Sequence, residues 1–221
     1  MISSLQNICL NLTGLFWQIL PGIKVVFELF ILTMVFSIPL GIILAIGRLS
    51  NCKILSKSIQ IYIWVMRGTP LMLQLIFVYF GMGNLGINIE RFPAAVITFV
   101  LNYAAYYAEI FRSGIQSIER SQFEGAEVLG LNYWQTMRHI ILPQTLKRVL
   151  PPIGNEVVTL IKDTSLAQVI GIVEVFTIVK ITAAREFVIY PFLIAATFYL
   201  IMTYIFTKVF DALEKHYAYY E

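Results

Sequence analysis

Long uncharged runs alternate with short polar stretches along this chain. After Glu28, residues 29–47 carry no charge, and further uncharged runs cover 71–89, 92–108 and 187–207. Each approaches or exceeds the roughly 17–25 apolar residues that cross a bilayer as a helix. A further crossing near 155–179 is less clean, because it contains Glu156, Lys162, Asp163 and Glu174. The pattern predicts five spans, at about 25–47, 69–89, 92–112, 155–179 and 187–208, in an all-α integral membrane protein with a single domain over 1–221. Between the first two spans, residues 50–68 place Ile54, Leu55, Ile59, Tyr62 and Val65 among Lys53, Lys57 and Ser58. Spacing by three and four predicts an interfacial helix. It ends where Gly68 and Pro70 break the pattern. A connecting loop is expected from about 114 to 152, closing at Pro151 and Pro152, and Lys162 with Asp163 is expected to anchor the start of the fourth span.

Composition supports a membrane chain. Of 221 residues 58% are hydrophobic and only 13% charged, against about half and a quarter in soluble domains. Five spans put the termini on opposite sides. With the amino terminus outside, the inner segments and carboxyl tail hold Arg48, Lys53, Lys57, Arg67, Arg112, Arg120, Arg138, Lys147, Arg148, Lys208 and Lys215. The outer segments hold Lys24, Arg91, Lys180 and Arg185. Lysine and arginine concentrate on the cytoplasmic side of membrane proteins, which fixes this orientation. The net charge of +3 follows from that asymmetry and calls for no nucleic-acid partner. Cys9 falls outside and Cys52 inside, so the two do not pair, and no metal-ligand spacing occurs. The first 23 residues lack Lys and Arg and do not read as a removable signal peptide.

Residues 122–143 form a polar island in this lipid-compatible chain. It carries Glu124, Glu127, Arg138 and His139, is divided by Gly130, and ends at Pro143. It predicts two short helical pieces joined at a glycine that tolerates positive φ. Alone, this is also the pattern of an ordinary surface hairpin. Gly81, Gly83 and Gly86 match a dinucleotide-binding spacing, but that fingerprint needs a preceding strand and a following helix; a turn explains it. No Walker phosphate loop, metalloprotease helix or serine-nucleophile motif is present, so no catalytic or metal-ligating residue is assigned and no cofactor is expected in this chain.

Charges within spans are costly, about 2.5–3.5 kcal/mol at the bilayer centre on insertion scales, so each is a functional candidate. Asn102, Tyr106 and Glu109 fall at i, i+4 and i+7, one polar face of a helix. Glu156, Thr159 and Asp163 repeat that geometry at i, i+3 and i+7. Two such stripes facing each other would build a hydrated path for an ammonium and a carboxylate. The alternatives are local: Glu109 pairing with Arg112, and Asn102 serving as an interhelical hydrogen bond.

Four segments together carry a resemblance. Glu124-Gly125-Ala126, Gly130 and Ile140-Ile141-Leu142-Pro143 have the spacing of the cytoplasmic loop of bacterial ABC importer permeases. Arg67-Gly68-Thr69-Pro70, Tyr107 to Ile115, and Gly154-Asn155-Glu156 with Leu160 to Leu166 resemble the polar amino acid permeases of that group (histidine, arginine, glutamine and glutamate types). The resemblance runs from about residue 20 to 215 and implies a type I ABC importer transmembrane domain (MetI-like) in a bacterial cytoplasmic membrane. It implies that Glu124, Gly125, Ala126, Gly130, Leu142 and Pro143 belong to a coupling segment docked on an ATPase subunit. By the same resemblance Asn102, Glu109 and Glu156 would line the substrate path, and Tyr106, on the same face as Asn102 and Glu109, is assigned to it with them. The family usually has Ala at the position of Gly125. The implied partners are a second permease, two ATP-binding subunits that bind the ATP, and an extracytoplasmic solute-binding protein. The chain itself would be no enzyme. The competing readings are an ion-coupled secondary amino acid carrier, with Glu109 and Glu156 relaying protons, and a structural subunit without a transport path.

Overall fold

The computed structural model describes residues 2–217, with side chains from residue 14 onward except Phe16; the side chain of Cys9 therefore lies outside the described residues. The described chain is helical throughout its regular segments. Helix α1 covers Ile2–Leu49, 48 residues, or about 70 Å at 1.5 Å per residue, more than twice the roughly 30 Å hydrocarbon core. The span expected at 25–47 is thus the distal half of one longer helix. Helix α2 (Lys53–Gly68) follows a short turn that Ser56 closes, donating from Oγ to the Arg48 carbonyl at 2.8 Å and accepting from the Arg48 guanidinium at 2.7 Å.

After Thr69 and Pro70 the chain bends by 104° into α3 (Leu71–Ile76), a π turn (Phe77–Gly81) and the short α4 (Met82–Asn84). Helix α5 spans Arg91–Gln116 and α6 spans Arg120–Val128. Helix α7 (Tyr133–Thr136) leads through a π turn (Met137–Ile141) into α8 (Leu142–Asp163), followed by a 3-10 segment (Thr164–Ile170), α9 (Val175–Glu186) and α10 (Tyr190–Tyr217). Three helical stretches are long and apolar enough to cross a membrane, Trp17–Leu49, Arg91–Gln116 and Tyr190–Tyr217, and five if each of two bent pairs is one span.

Two departures from the sequence pattern have local causes. Pro151 and Pro152 lie inside α8 rather than closing a loop. They donate no backbone hydrogen bond to the carbonyls one turn earlier, but the flanking turns carry the helix through, and Lys162 with Asp163 consequently ends a helix. Where one helix was expected over 155–179, the chain breaks at Gly171. Its φ of +79° closes the 3-10 segment with Gly171 N–H donating to Gln168 O and Ile172 N–H to Ala167 O. Glu174 then starts α9 as its cap.

The chain forms two compact units. The first comprises the residues up to Thr33, Leu71–Thr98 and Leu160–Thr203. Its core joins Leu15, Ile19 and Val26 of α1 to Val175 and Val179 of α9 and Ala195 of α10. Gly22 permits this approach: a Cβ there would stand 2.8 Å from the Val175 backbone nitrogen. The second unit comprises Met34–Pro70, Phe99–Thr159 and the chain from Tyr204 on. Here Ala105 and Ala108 of α5 pack with Ile63, Ile59 and Met66 of α2 and Leu44 of α1. Small residues at such contacts let helix backbones come close where lipid supplies no hydrophobic drive.

Candidate functional site

The island at 122–143 folds as two helical pieces with a defined turn. Helix α6 ends in a complete Schellman motif: Gly130 N–H donates to Glu127 O at 2.9 Å and Leu131 N–H to Ala126 O at 3.0 Å, with Gly130 at φ +72°. Only glycine adopts that left-handed conformation without steric cost. Two residues later Asn132 starts α7 with a capping box. Its side chain accepts from Gln135 N–H at 3.0 Å, and the Gln135 side chain accepts from Asn132 N–H at 2.9 Å. The Asn-x-x-Gln spacing at Asn132 and Gln135 is the sequence signature of this cap.

The chain at and just before α6 is tied to α8 at two points. Gln144 Nε2 donates to Gln122 Oε1 at 3.1 Å, and the Arg148 guanidinium donates to the carbonyl of Ser117. Helix α6 also packs on the π turn, where Ala126 and Ile141 are both buried. Ala126 therefore faces inward and is not itself a surface for close approach. Gly125, Glu124 and Glu127 face outward, and a Cβ on Gly125 would meet nothing within 4 Å. Leu142 and Pro143 are exposed at the start of α8. Around this polar rim stand apolar side chains that sequence reasoning had not singled out: Val128 is 87% exposed, Leu129 75%, Tyr133 66% and Trp134 79%. Clustered exposed aliphatic and aromatic side chains mark interaction surfaces. Glu124 pairs with Arg120 at 3.1 Å on the exposed face. The base precedes the acid on the helix, the less favourable order, so this pair contributes little to stability.

Because Gly125 is open, Gly125→Ala should stabilise α6 by about 0.5–1 kcal/mol through helix propensity alone. Hydrogen exchange across 120–130 would measure it. Unchanged or faster exchange would mean that the open geometry is incorrect.

The polar face of α5 is engaged locally. Asn102 is buried, and its amide donates to the Met66 carbonyl at 2.9 Å. One residue earlier, Leu101 O accepts from the Tyr62 hydroxyl at 2.5 Å. These two bonds fasten the end of α2 to α5. Arg67 places its guanidinium carbon 5.1 Å from the Tyr106 ring centroid, a cation–π distance. Glu109 receives both Nε and Nη2 of Arg112, the former at 2.9 Å, and Arg112 also reaches Gln116. The geometry thus contains both local contacts, Glu109 with Arg112 and Asn102 with a neighbouring helix. Glu156 and Thr159 lie on α8 in the second unit, Glu156 half-buried and Thr159 donating to Asn155 O at 2.9 Å. Asp163 belongs to the first unit.

Removing the Asn102 amide should cost about 1–2 kcal/mol, the net worth of a buried hydrogen bond and the orphaned carbonyl. Asn102→Ala would then lower thermal stability and leave the KM for transport within about twofold. A selective rise in KM at unchanged stability would instead place Asn102 on the substrate.

Among the described residues the most buried carboxylate is Glu174, 1% exposed. It caps α9 by accepting from Phe176 N–H, Thr177 N–H and the Thr177 hydroxyl at 2.7 Å each, and from the Tyr199 hydroxyl of α10 at 3.1 Å. Among the described residues no group of three or more His, Cys, Asp and Glu side chains is placed to hold a metal ion.

Comparison with known proteins fits this architecture. A family described as "binding-protein-dependent transport system inner membrane component" matches residues 37–219. A probable amino-acid ABC transporter permease protein of Bacillus subtilis (strain 168) is 39% identical over 206 residues, covering 93% of this chain and 91% of the relative. A glutamine transport system permease protein of Escherichia coli (strain K12) is 34% identical, covering 90% and 94%. The crystal structure of an amino acid ABC transporter with histidines superposes with a TM-score of 0.85 at 33% identity, covering 94% of this chain and 96% of that one. An inward-facing methionine ABC transporter shares the fold at 16% identity, with a TM-score of 0.73. With most of its length matched, this chain belongs to the family of binding-protein-dependent transport system inner membrane components.

Proposed function

We propose that this chain is the permease subunit of an ABC importer for a polar amino acid of the glutamine, arginine or histidine class, working by alternating access. The observation that carries the reading is α6 with its capped turn. An outward face of Glu124, Gly125, Glu127, Val128 and Leu129 sits on a segment braced against α8 by Gln144 and Arg148. A short rigid helix with an open small-residue position and an apolar rim is suited to sit in the cleft of a nucleotide-hydrolysing partner and to follow it as a lever. ATP is bound and hydrolysed in that partner. The permease pairs with a second permease, identical or similar, since five spans are too few to enclose a gated path, and an extracytoplasmic binding protein delivers the amino acid.

The orientation rests on charge counting: eleven lysines and arginines fall on the segments assigned to the inner side and four on those assigned to the outer side. The amino terminus lies outside and the coupling segment in the cytoplasm of a bacterial inner membrane.

Proteoliposomes containing the complete importer decide between this and an ion-coupled carrier. Uptake should require internal-face ATP and the binding protein, and vanish with either removed. Uptake by the permease alone on an ion gradient would overturn the proposal.

A further inference from the structure

Two neighbouring cavities in the second unit differ in character. One is an apolar groove of about 640 Å³ lined by Ile42 and Ile46 of α1, Phe111 of α5, Leu146 of α8, and the aromatic residues Trp134 and Tyr217, with Arg138. The other, also about 640 Å³, is lined by His139, Gln144, Lys147 and Arg148. They share Pro143. Both volumes fall within the roughly 300–1,000 Å³ of ordinary ligand sites. The geometry points to a binding site for one anionic phospholipid, its acyl chain in the apolar groove and its phosphate over the basic cavity.

The composition of the two cavities argues for an amphiphile of that charge. The groove is assembled from the ends of α1 and α5, two of the helices long and apolar enough to cross a membrane, so hydrocarbon is the solvent at hand. Tryptophan and tyrosine are the side chains that settle at the boundary between hydrocarbon and headgroups. Beyond Pro143 the lining turns cationic. Arg148 bonds the neutral carbonyl of Ser117, which leaves its charge uncompensated by that contact. Basic pockets beside membrane helices hold lipid head groups. That the lipid comes from the cytoplasmic leaflet rests on the orientation proposed above; the site itself does not.

The chain contains three tryptophans, and Trp17→Phe with Trp64→Phe leaves Trp134 as a reporter. That variant, reconstituted in phosphatidylcholine vesicles, is titrated with phosphatidylglycerol brominated on its acyl chains, and separately with brominated phosphatidylcholine. Trp134 should be half-quenched at a roughly tenfold lower fraction of the anionic lipid. Arg138→Gln with Lys147→Gln should bring the two lipids within about twofold, and millimolar glycerol phosphate should leave quenching unchanged. Equal quenching by both lipids in the unsubstituted groove, or none, would overturn the site. Displacement by glycerol phosphate would mean a soluble phosphate ligand, and loss of quenching on adding the ATPase subunit would mean a protein interface; either result also contradicts the proposal. None of these readings depends on transport, so failure here is distinct from failure of the importer assignment.

Discussion

Glu124→Lys should abolish ATP-driven uptake while the protein still inserts and folds. In the free chain Glu124 stands on the open face of α6, where it holds an exposed pair with Arg120, so reversal costs the permease little stability. It would place Lys beside Arg120, one turn away, a like-charge repulsion of a few tenths of a kcal/mol. At a docked surface the effect is of a different size. Charged groups buried between partners are worth roughly 2–5 kcal/mol when lost, so docking should weaken at least about thirtyfold. The readouts are co-purification with the ATPase subunit, uptake, and the thermal transition of the isolated permease. Loss of the first two with the third shifted by no more than a degree or two is expected. Wild-type uptake by this variant would remove Glu124 from the coupling surface.

Glu174→Ala should produce the largest loss of stability. Four donors converge on this carboxylate, two of them backbone N–H groups of α9 and one the Tyr199 hydroxyl of α10. Buried donors left without a partner cost about 1–3 kcal/mol each, and at a site only 1% exposed the orphaned donors find no water. A loss of at least about 3 kcal/mol is expected, read as a fall in the thermal transition of the purified permease. Glu174→Gln separates the chemistry from the volume. An amide keeps one acceptor oxygen and turns an NH2 toward two donors, so Gln should recover less than half of the loss. Full stability with Gln would mean that packing, not acceptance of hydrogen bonds, holds α9.

The sequence made the long elements readable for one reason: α1, α5 and α10 carry uncharged runs that only a helix in lipid accommodates. The turn at Gly130 was readable because positive φ selects glycine. What stayed hidden depended on tertiary partners. Glu174 interrupts an apolar run, and charge counting treats it as a penalty. Its role emerges only when Tyr199, 25 residues away, closes over it, and Glu is not among the preferred capping residues. The inward face of Ala126 was equally out of reach. In a nine-residue helix the register is set by the surface beneath, here the π turn with Ile141. Pro151 and Pro152 read as a loop end because proline usually stops a helix, yet α8 continues through them. For the polar face of α5 the residues pointed both ways. The Asn102 bond to Met66 and the Glu109 pair with Arg112 are the local alternatives, and Tyr106 meets Arg67. The Asn102 and Tyr106 contacts hold α2 and α5 together, the Glu109 pair lies within α5, and an amino acid passing this face would meet side chains already engaged.

One experiment addresses the lever directly. A cysteine at Gly125, the outward small position of α6, is paired with single cysteines along the cleft of the ATPase subunit in the reconstituted importer. The account predicts a disulfide-linked permease–ATPase product, arrested uptake when the link forms, and recovery when it is reduced. Absence of any such product, or transport that continues undiminished through the crosslinked complex, would contradict it.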